Sequence, residues 1–208
     1  MTAFGRRTSG NLQKHETGNP LQRYFIDRFH AEVIRLLGTV QPDAVLDLGC
    51  GEGFVLEALV EAGFDAELVG IDNSEDAVAH ALERVGSQAE ILCDDVRELS
   101  DLPRRFDVVM MLEVLEHLDD PNATLRLLGS LTTGHVLLSV PREPYFRGMN
   151  VLRLKNVRRL GNDPEHVQHW TRSGFERLVG NRFSIVGRGR AFPWTLLLLE
   201  PTATASET

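Results

Sequence analysis

The sequence predicts an α/β protein built around a mostly parallel sheet with helices on both faces. The first observation is the apolar run Val45–Leu48, which ends in a glycine-rich turn that leads into a helical pattern. The second is the repetition of this strand-then-helix unit, because right-handed crossovers make successive strands parallel. With 208 residues, the chain has the length of one α/β domain with a full core.

The turn after the first strand has the spacing Gly49-x-Gly51-x-Gly53 and is preceded by Asp47. Glycines let a backbone turn sharply at positive φ and come into contact with a ligand. The free amides at the start of the following helix favour a negative group. Phe54 stands where a dinucleotide-binding loop has its third glycine. The pattern therefore indicates a nucleotide-cofactor site and disfavours a nicotinamide-dependent oxidoreductase.

Further elements follow in an order that agrees with this site. The run Ala66–Asp72 predicts a second strand ending in an acid about 20 residues past the loop, where a ribose-binding carboxylate belongs. Ser74 caps the next helix. The other predicted elements are an amino-terminal helix from Asn19 with apolar positions Leu21, Phe25, Phe29, Val33, Ile34 and Leu37, strands Ala89–Cys93, Arg105–Leu112 and Gly134–Pro141, a last helix opened by Trp170–Phe175, and a hairpin of Phe183–Gly189 and Pro193–Glu200.

Between about residues 44 and 199, these motifs resemble the class I S-adenosylmethionine (SAM) methyltransferases. The resemblance implies a Rossmann-like, seven-stranded sheet with one antiparallel strand near the carboxyl terminus. It also implies that SAM is the cofactor, with its methionine part at the glycines, its ribose at Asp72 and its adenine at Asp95 and Val96. The candidate cofactor-binding residues are Asp47, Gly49, Cys50, Gly51, Gly53, Asp72, Asn73, Asp94, Asp95, Val96, Leu112 and Glu113.

The segment after the fourth strand carries the candidate catalytic residues, Glu113 and His117. Leu112 and Glu113 are expected to border the sulfonium. His117 is a candidate base for a hydroxyl acceptor, and the alternative is that it only packs against the start of the next helix.

Glu113, Glu116, His117 and His166 together suit a divalent cation, Mg²⁺ or Mn²⁺. This constellation resembles that of the RNA 3′-terminal 2′-O-methyltransferases and of the ubiquinone-pathway O-methyltransferases. In those families the acids and histidines bind the metal. The pattern E-V-L-E-H also occurs in small-molecule methyltransferases without a metal role, so both interpretations stay open.

Residues 142–169 form an insertion between the fifth strand and the last helix. Between residues 142 and 160, six basic residues stand against Glu143 alone, and Val151, Leu154, Val157 and Leu160 form an apolar stripe. One interpretation is a surface helix docked on the domain. The other is a lid for an anionic or lipid-linked substrate, with peripheral membrane contact through residues 142–160.

Composition narrows the remaining classes of function. The formal net charge of −8 makes a nucleic-acid partner unexpected. Two cysteines indicate no disulfide framework, which fits a reducing cytoplasm, and no apolar run has the length of a membrane span. Residues 1–18 are expected to be a mobile segment before a methyltransferase domain at 19–200, and Pro201–Thr208 a disordered tail.

The function predicted from these observations is methyl transfer from SAM to a small or lipid-linked acceptor, most simply at a hydroxyl oxygen. Two alternatives remain: a metal-assisted enzyme like the RNA 3′-terminal 2′-O-methyltransferases, and a SAM-binding sensor or scaffold without catalysis. The acceptor and the oligomeric state do not follow from the sequence.

Overall fold

A computed structural model describes residues 19–96, 104–142 and 168–202. The helices in it are α1 (Pro20–Gly38), α2 (Phe54–Glu61), α3 (Glu75–Val85), α4 (Pro121–Leu131) and α5 (Arg172–Val179). The strands are β1 (Ala44–Leu48), β2 (Glu67–Asp72), β3 (Glu90–Cys93), β4 (Phe106–Leu112), β5 (Thr132–Pro141), β6 (Phe183–Arg188) and β7 (Trp194–Pro201). Short 3₁₀ turns occupy Gly86–Gln88 and Leu115–His117.

The seven strands form one sheet in the order β3-β2-β1-β4-β5-β7-β6. Parallel pairing runs from β3 through β5, and β7 is antiparallel to both of its neighbours. The predicted fold class is confirmed, including the single antiparallel strand. Strand order reverses between β1 and β4, where open α/β sheets bind their ligands.

Two apolar cores lie on opposite faces of the sheet. Along β4, Val108 and Met110 point into one core, whereas Val109 and Met111 point into the other. Helices α1, α2 and α3 cover the first face, and α4 and α5 cover the second. Burial on both faces explains why the central strands read as continuous apolar runs, as in parallel sheets generally.

Helix α1 begins as predicted, because the Asn19 side chain accepts hydrogen bonds from the amides of Leu21 (3.0 Å) and Gln22 (3.4 Å). Its buried face is shorter than predicted. Leu21 is 57% exposed, and burial begins only at Phe29. The apolar spacing identified the correct face, but only the second half of the helix packs on the sheet.

The predicted boundary between the domain and its carboxyl-terminal tail differs from the structure at residues 201 and 202. Pro201, which the sequence predicts to lie in a disordered tail, is the last residue of β7, and Thr202 donates from its amide to the carbonyl of Arg182 at 3.0 Å. The prediction for these two residues was wrong, because they pair across the sheet edge. Residues 1–18, 143–167 and 203–208 lie outside the described residues, so the mobile start, most of the insertion and the rest of the tail stay predictions. No described helix is long and apolar enough to cross a membrane.

Candidate cofactor site

The candidate cofactor residues lie at the carboxyl edge of β1, β2, β3 and β4. Asp47 is near the end of β1 and pairs in register with Gly70 of β2. Asp72 ends β2 and pairs with Cys93, the last residue of β3. The amide of Asp94, which follows β3, donates to the Asp72 carbonyl at 3.0 Å. These pairings bring together the segments that the sequence keeps about 20 residues apart.

The glycine turn has three residues at positive φ: Gly49 at 81°, Gly51 at 54° and Gly53 at 78°. A Cβ on Gly49 would lie 2.4 Å from Cγ2 of Val114, and one on Gly53 would lie 3.1 Å from Cβ of Ala81. At Gly49, packing therefore disfavours a side chain in addition to the turn itself, and at Gly53 the contact is tight. Gly53 is the residue that caps α2.

The Asp72 carboxylate holds the turn to the start of α3. It accepts hydrogen bonds from the amides of Gly51 and Ser74, each at 2.9 Å and each on a different oxygen. Ser74 in turn caps α3 by accepting from the Ala77 amide at 3.3 Å. An ionised carboxylate has about four acceptor positions, so each oxygen retains one for a further donor. Two neighbouring ribose hydroxyls fit that arrangement.

Asp47 and Cys50 are buried beneath the turn, with exposed fractions of 2% and 8%. Burial, followed by the negative charge of Asp72, raises the pKa of Asp47 to about 7. Burial, followed by the negative charges of Asp47 and Asp72, also raises the pKa of the Cys50 thiol. The Cys50 side chain packs in the core under α2 and α3, so any contact with a cofactor must come from its backbone.

The predicted adenine-side residues follow β3. Asn73 and Asp94 are exposed, Asp95 is half-buried and Val96 is buried in the core on the α4 side. The Asp95 amide donates to Asp94 Oδ1 at 2.8 Å. This arrangement leaves polar groups at the surface beside the apolar Val96, and the assignment of adenine to these residues stays a prediction.

At the end of β4, Leu112 is 9% exposed and belongs to the core, whereas Glu113 turns away at a φ of 59°. The Glu113 carboxylate accepts from the Ser139 hydroxyl at 2.8 Å, and the Glu113 amide donates back to that hydroxyl oxygen at 3.1 Å. Ser139 was not among the candidate residues predicted from the sequence. The available signal was a lone polar residue within the apolar run of β5.

The 3₁₀ turn after β4 places Glu116 and His117 in different environments. Glu116 is 1% exposed, whereas His117 is exposed. The carbonyl of Glu116 accepts from the Gln168 amide at 3.0 Å, so the chain returning from the insertion passes directly against this turn.

The proposed metal ligands do not form a shared site in the part of the chain that is described. Glu113 is bound to Ser139, and within residues 19–96, 104–142 and 168–202 no group of three or more His, Cys, Asp or Glu side chains is arranged to hold an ion. His166 lies outside the described residues.

A further residue missed by the sequence analysis, Arg84 of α3, fixes the helix side of the turn. Its Nε donates to the carbonyl of Glu52 at 2.9 Å, and its Nη1 donates to Glu57 at 2.9 Å. Its guanidinium lies 3.8 Å from the ring centroid of Phe54. Phe54, at the position of the absent third glycine, is thus used for packing between α2 and α3.

Residues 21–182 match the family described as the methyltransferase domain. The chain belongs to this methyltransferase family. The match includes the glycine turn, Asp72 and the segment from Glu113 to His117, and it agrees with a SAM-dependent enzyme as the motifs predicted.

Relatives of this methyltransferase include proteins named ubiquinone biosynthesis O-methyltransferase. The one from Bordetella avium is 36% identical over 118 residues, which are 54% of this chain and 45% of that protein. The one from Idiomarina loihiensis is 42% identical over 87 residues, which are 39% of this chain and 35% of that protein. The aligned part thus spans less than half the length of these relatives.

Solved structures share the fold of this methyltransferase. The plantazolicin methyltransferase BpumL, in complex with a monoazolic desmethylPZN analog and S-adenosylhomocysteine (SAH), has a TM-score of 0.69 at 17% identity and covers 92% of this chain and 89% of its own. The methyltransferase domain of bacterial CtHen1-C has a TM-score of 0.66 at 22% identity and covers 86% of this chain and 100% of its own. At these identities the likeness shows the fold alone.

Proposed function

We propose that this chain transfers the methyl group of SAM to a hydroxyl oxygen of a small or lipid-linked acceptor. The observation that carries the proposal is the glycine turn, whose Gly51 amide is held by Asp72 while both Asp72 oxygens retain acceptor capacity. Membership of the methyltransferase family supports the reaction. The names of the O-methyltransferase relatives support the hydroxyl acceptor.

Bound SAM supplies an activated methyl group. The protein therefore has to bind the cofactor, align the acceptor with the methyl group and exclude water. In the proposed reaction the acceptor oxygen forms a bond to the methyl carbon as the carbon–sulfur bond breaks, and the hydroxyl proton leaves. His117 is the proposed acceptor of that proton, because it is exposed on the turn that follows β4 at the carboxyl edge of the sheet. Gln168, bonded to the same turn, brings the end of the insertion to this side of the site.

The cofactor assignment predicts a specific effect of Asp72→Asn. An amide side chain keeps one acceptor oxygen but presents a donor in place of the other, so it cannot accept from both backbone amides and both ribose hydroxyls. We expect SAH affinity measured by calorimetry to fall by about tenfold or more. Asp76→Asn removes the same charge from an exposed position in the first turn of α3 and should leave affinity within about twofold.

The same calorimetry separates this function from its oxidoreductase alternative. SAM and SAH should bind to the unmodified chain, and NAD or NADP should neither bind nor compete. Equal SAH affinity in the Asp72 and Asp76 variants would remove Asp72 from the site.

The acceptor class can be tested with methyl-labelled SAM. We expect label transfer to phenols that carry a hydrocarbon tail, and none to the 3′ end of a short RNA. Transfer to RNA would favour the alternative enzyme class. No transfer to either class, together with firm SAH binding, would favour a sensor or scaffold. Contact with an anionic membrane through residues 142–160 and a cytoplasmic location stay predictions.

A second prediction concerns the proton acceptor. Once an acceptor that receives the labelled methyl group has been identified, His117→Asn should lower the kcat for its methylation by about 10²- to 10⁴-fold. SAH affinity should change little, since His117 is not among the proposed cofactor ligands. The exposed His169→Asn is a matched control and should retain most of the activity. If EDTA abolishes turnover and Mg²⁺ or Mn²⁺ restores it, the metal-assisted mechanism replaces the one proposed here.

A further inference from the structure

Ser139 lies on β5 opposite Leu112 of β4, and it is completely buried. Its hydroxyl makes two contacts with one residue. It donates to Glu113 Oε1 at 2.8 Å and accepts from the Glu113 amide at 3.1 Å. The same amide lies 3.3 Å from the Ser139 carbonyl oxygen. One side chain on β5 thus holds both the backbone and the side chain of the residue that ends β4.

Glu113 has a backbone conformation that residues with a side chain rarely adopt. Its φ is 59°, and Gln41 is the only other non-glycine residue at positive φ in the described ranges. Such a conformation costs free energy and persists only where surrounding contacts hold it. The contacts with Ser139 are among those that hold it, and two of them are made by the Ser139 hydroxyl.

The conformation of Glu113 determines where Val114 lies. Val114 covers Gly49 so closely that a Cβ on the glycine would lie 2.4 Å from Val114 Cγ2. If Glu113 relaxed to negative φ, the chain would leave β4 in another direction, and Val114 would no longer cover the first glycine of the turn. The contacts therefore run from Ser139 through Glu113 and Val114 to the cofactor turn.

We propose that Ser139 is a positioning residue for the cofactor site, which holds Glu113 in the left-handed conformation and thereby sets Val114 against Gly49. The inference rests on the proposed function, since its test uses cofactor binding. Ser139 acts through its neighbours and requires no contact with the reacting atoms.

The first measurement is the affinity of Ser139→Ala for SAH, at a temperature well below its melting transition. Alanine fills nearly the same volume but lacks the hydroxyl, so the left-handed conformation loses the two hydrogen bonds made by the Ser139 side chain and keeps the one to the Ser139 carbonyl. We expect affinity to fall by about tenfold, as for the loss of a hydrogen bond to a charged group. Unchanged affinity would overturn the inference.

Two variants of Glu113 test whether Ser139 acts by holding the Glu113 backbone or only by its contact with the Glu113 carboxylate. Glu113→Gly and Glu113→Ala both remove the carboxylate, but only glycine adopts positive φ without strain. Adding Ser139→Ala to Glu113→Gly should change SAH affinity by less than about twofold, whereas adding it to Glu113→Ala should lower affinity by about fivefold. A melting temperature for each variant identifies any loss of folding.

Equal effects of Ser139→Ala in the glycine and alanine backgrounds would overturn the inference, because backbone conformation would then be irrelevant. Failure of the proposed function is distinguishable, since the unmodified chain would then not bind SAH at all. That result would remove both the function and this inference.

Discussion

Replacing Gly49 with alanine is expected to weaken SAH binding by about 100-fold or more. An alanine at this position would have to adopt a φ of 81°. Its Cβ would lie 2.4 Å from Cγ2 of Val114, so the Val114 side chain, the turn or the segment after β4 must shift. Backbone strain and overpacking each cost about 1–3 kcal/mol, and together they account for the effect. Calorimetry with SAH measures it.

Three variants separate the causes of this loss. Gly63→Ala has the same kind of strain, at a φ of 72°, but nothing lies within 4 Å of its Cβ, so it should lose about 1 kcal/mol of stability and keep SAH affinity. Gly38→Ala, also with nothing within 4 Å, should lose neither. Adding Val114→Ala to Gly49→Ala removes the closest contact and should restore part of the affinity. Tight SAH binding by Gly49→Ala itself would contradict the geometry of the turn.

Asp47→Asn is expected to change how stability depends on pH. Burial and the charge of Asp72 raise the Asp47 pKa from its ordinary value near 3.8 to about 7 in the folded protein. The unfolded chain therefore releases this proton near pH 4, whereas the folded chain retains it until about pH 7. Hence the contribution of Asp47 to stability falls as pH rises through this window. Asparagine does not titrate, so the variant lacks that fall.

The measurement is urea unfolding of both proteins at pH 5 and pH 8 without ligand. The unfolding free energy of Asp47→Asn relative to the unmodified chain should increase by about 2–3 kcal/mol between these two pH values. Asp65→Asn, at an exposed position, controls for the loss of one negative charge. A difference that stays constant between pH 5 and pH 8 would show that Asp47 is ionised throughout, and the raised pKa would be wrong.

Patterns among neighbouring residues predicted the cofactor turn, Asp72 and the helix caps. The apolar run of β1, the alternating glycines and the acid at the end of β2 each depend on neighbouring residues, so the sequence was sufficient to place the turn and Asp72 at one edge of the sheet. The caps Asn19 and Ser74 were recognisable for the same reason. The exposure of Leu21 was not, since helical spacing identifies the apolar face but not how much of it meets the sheet.

By itself, the sequence determined the fold class, the cofactor turn and the methyltransferase resemblance, because strand, turn and helix signals are local and each motif is contiguous. Only the tertiary structure decided why individual residues are required. Gly49 meets Val114 only because β4 lies beside β1 in the sheet. Ser139 reaches Glu113, 26 residues earlier, only because β5 pairs with β4. Such contacts depend on which strands become neighbours in the sheet, and the residue pattern within one strand does not specify its neighbour.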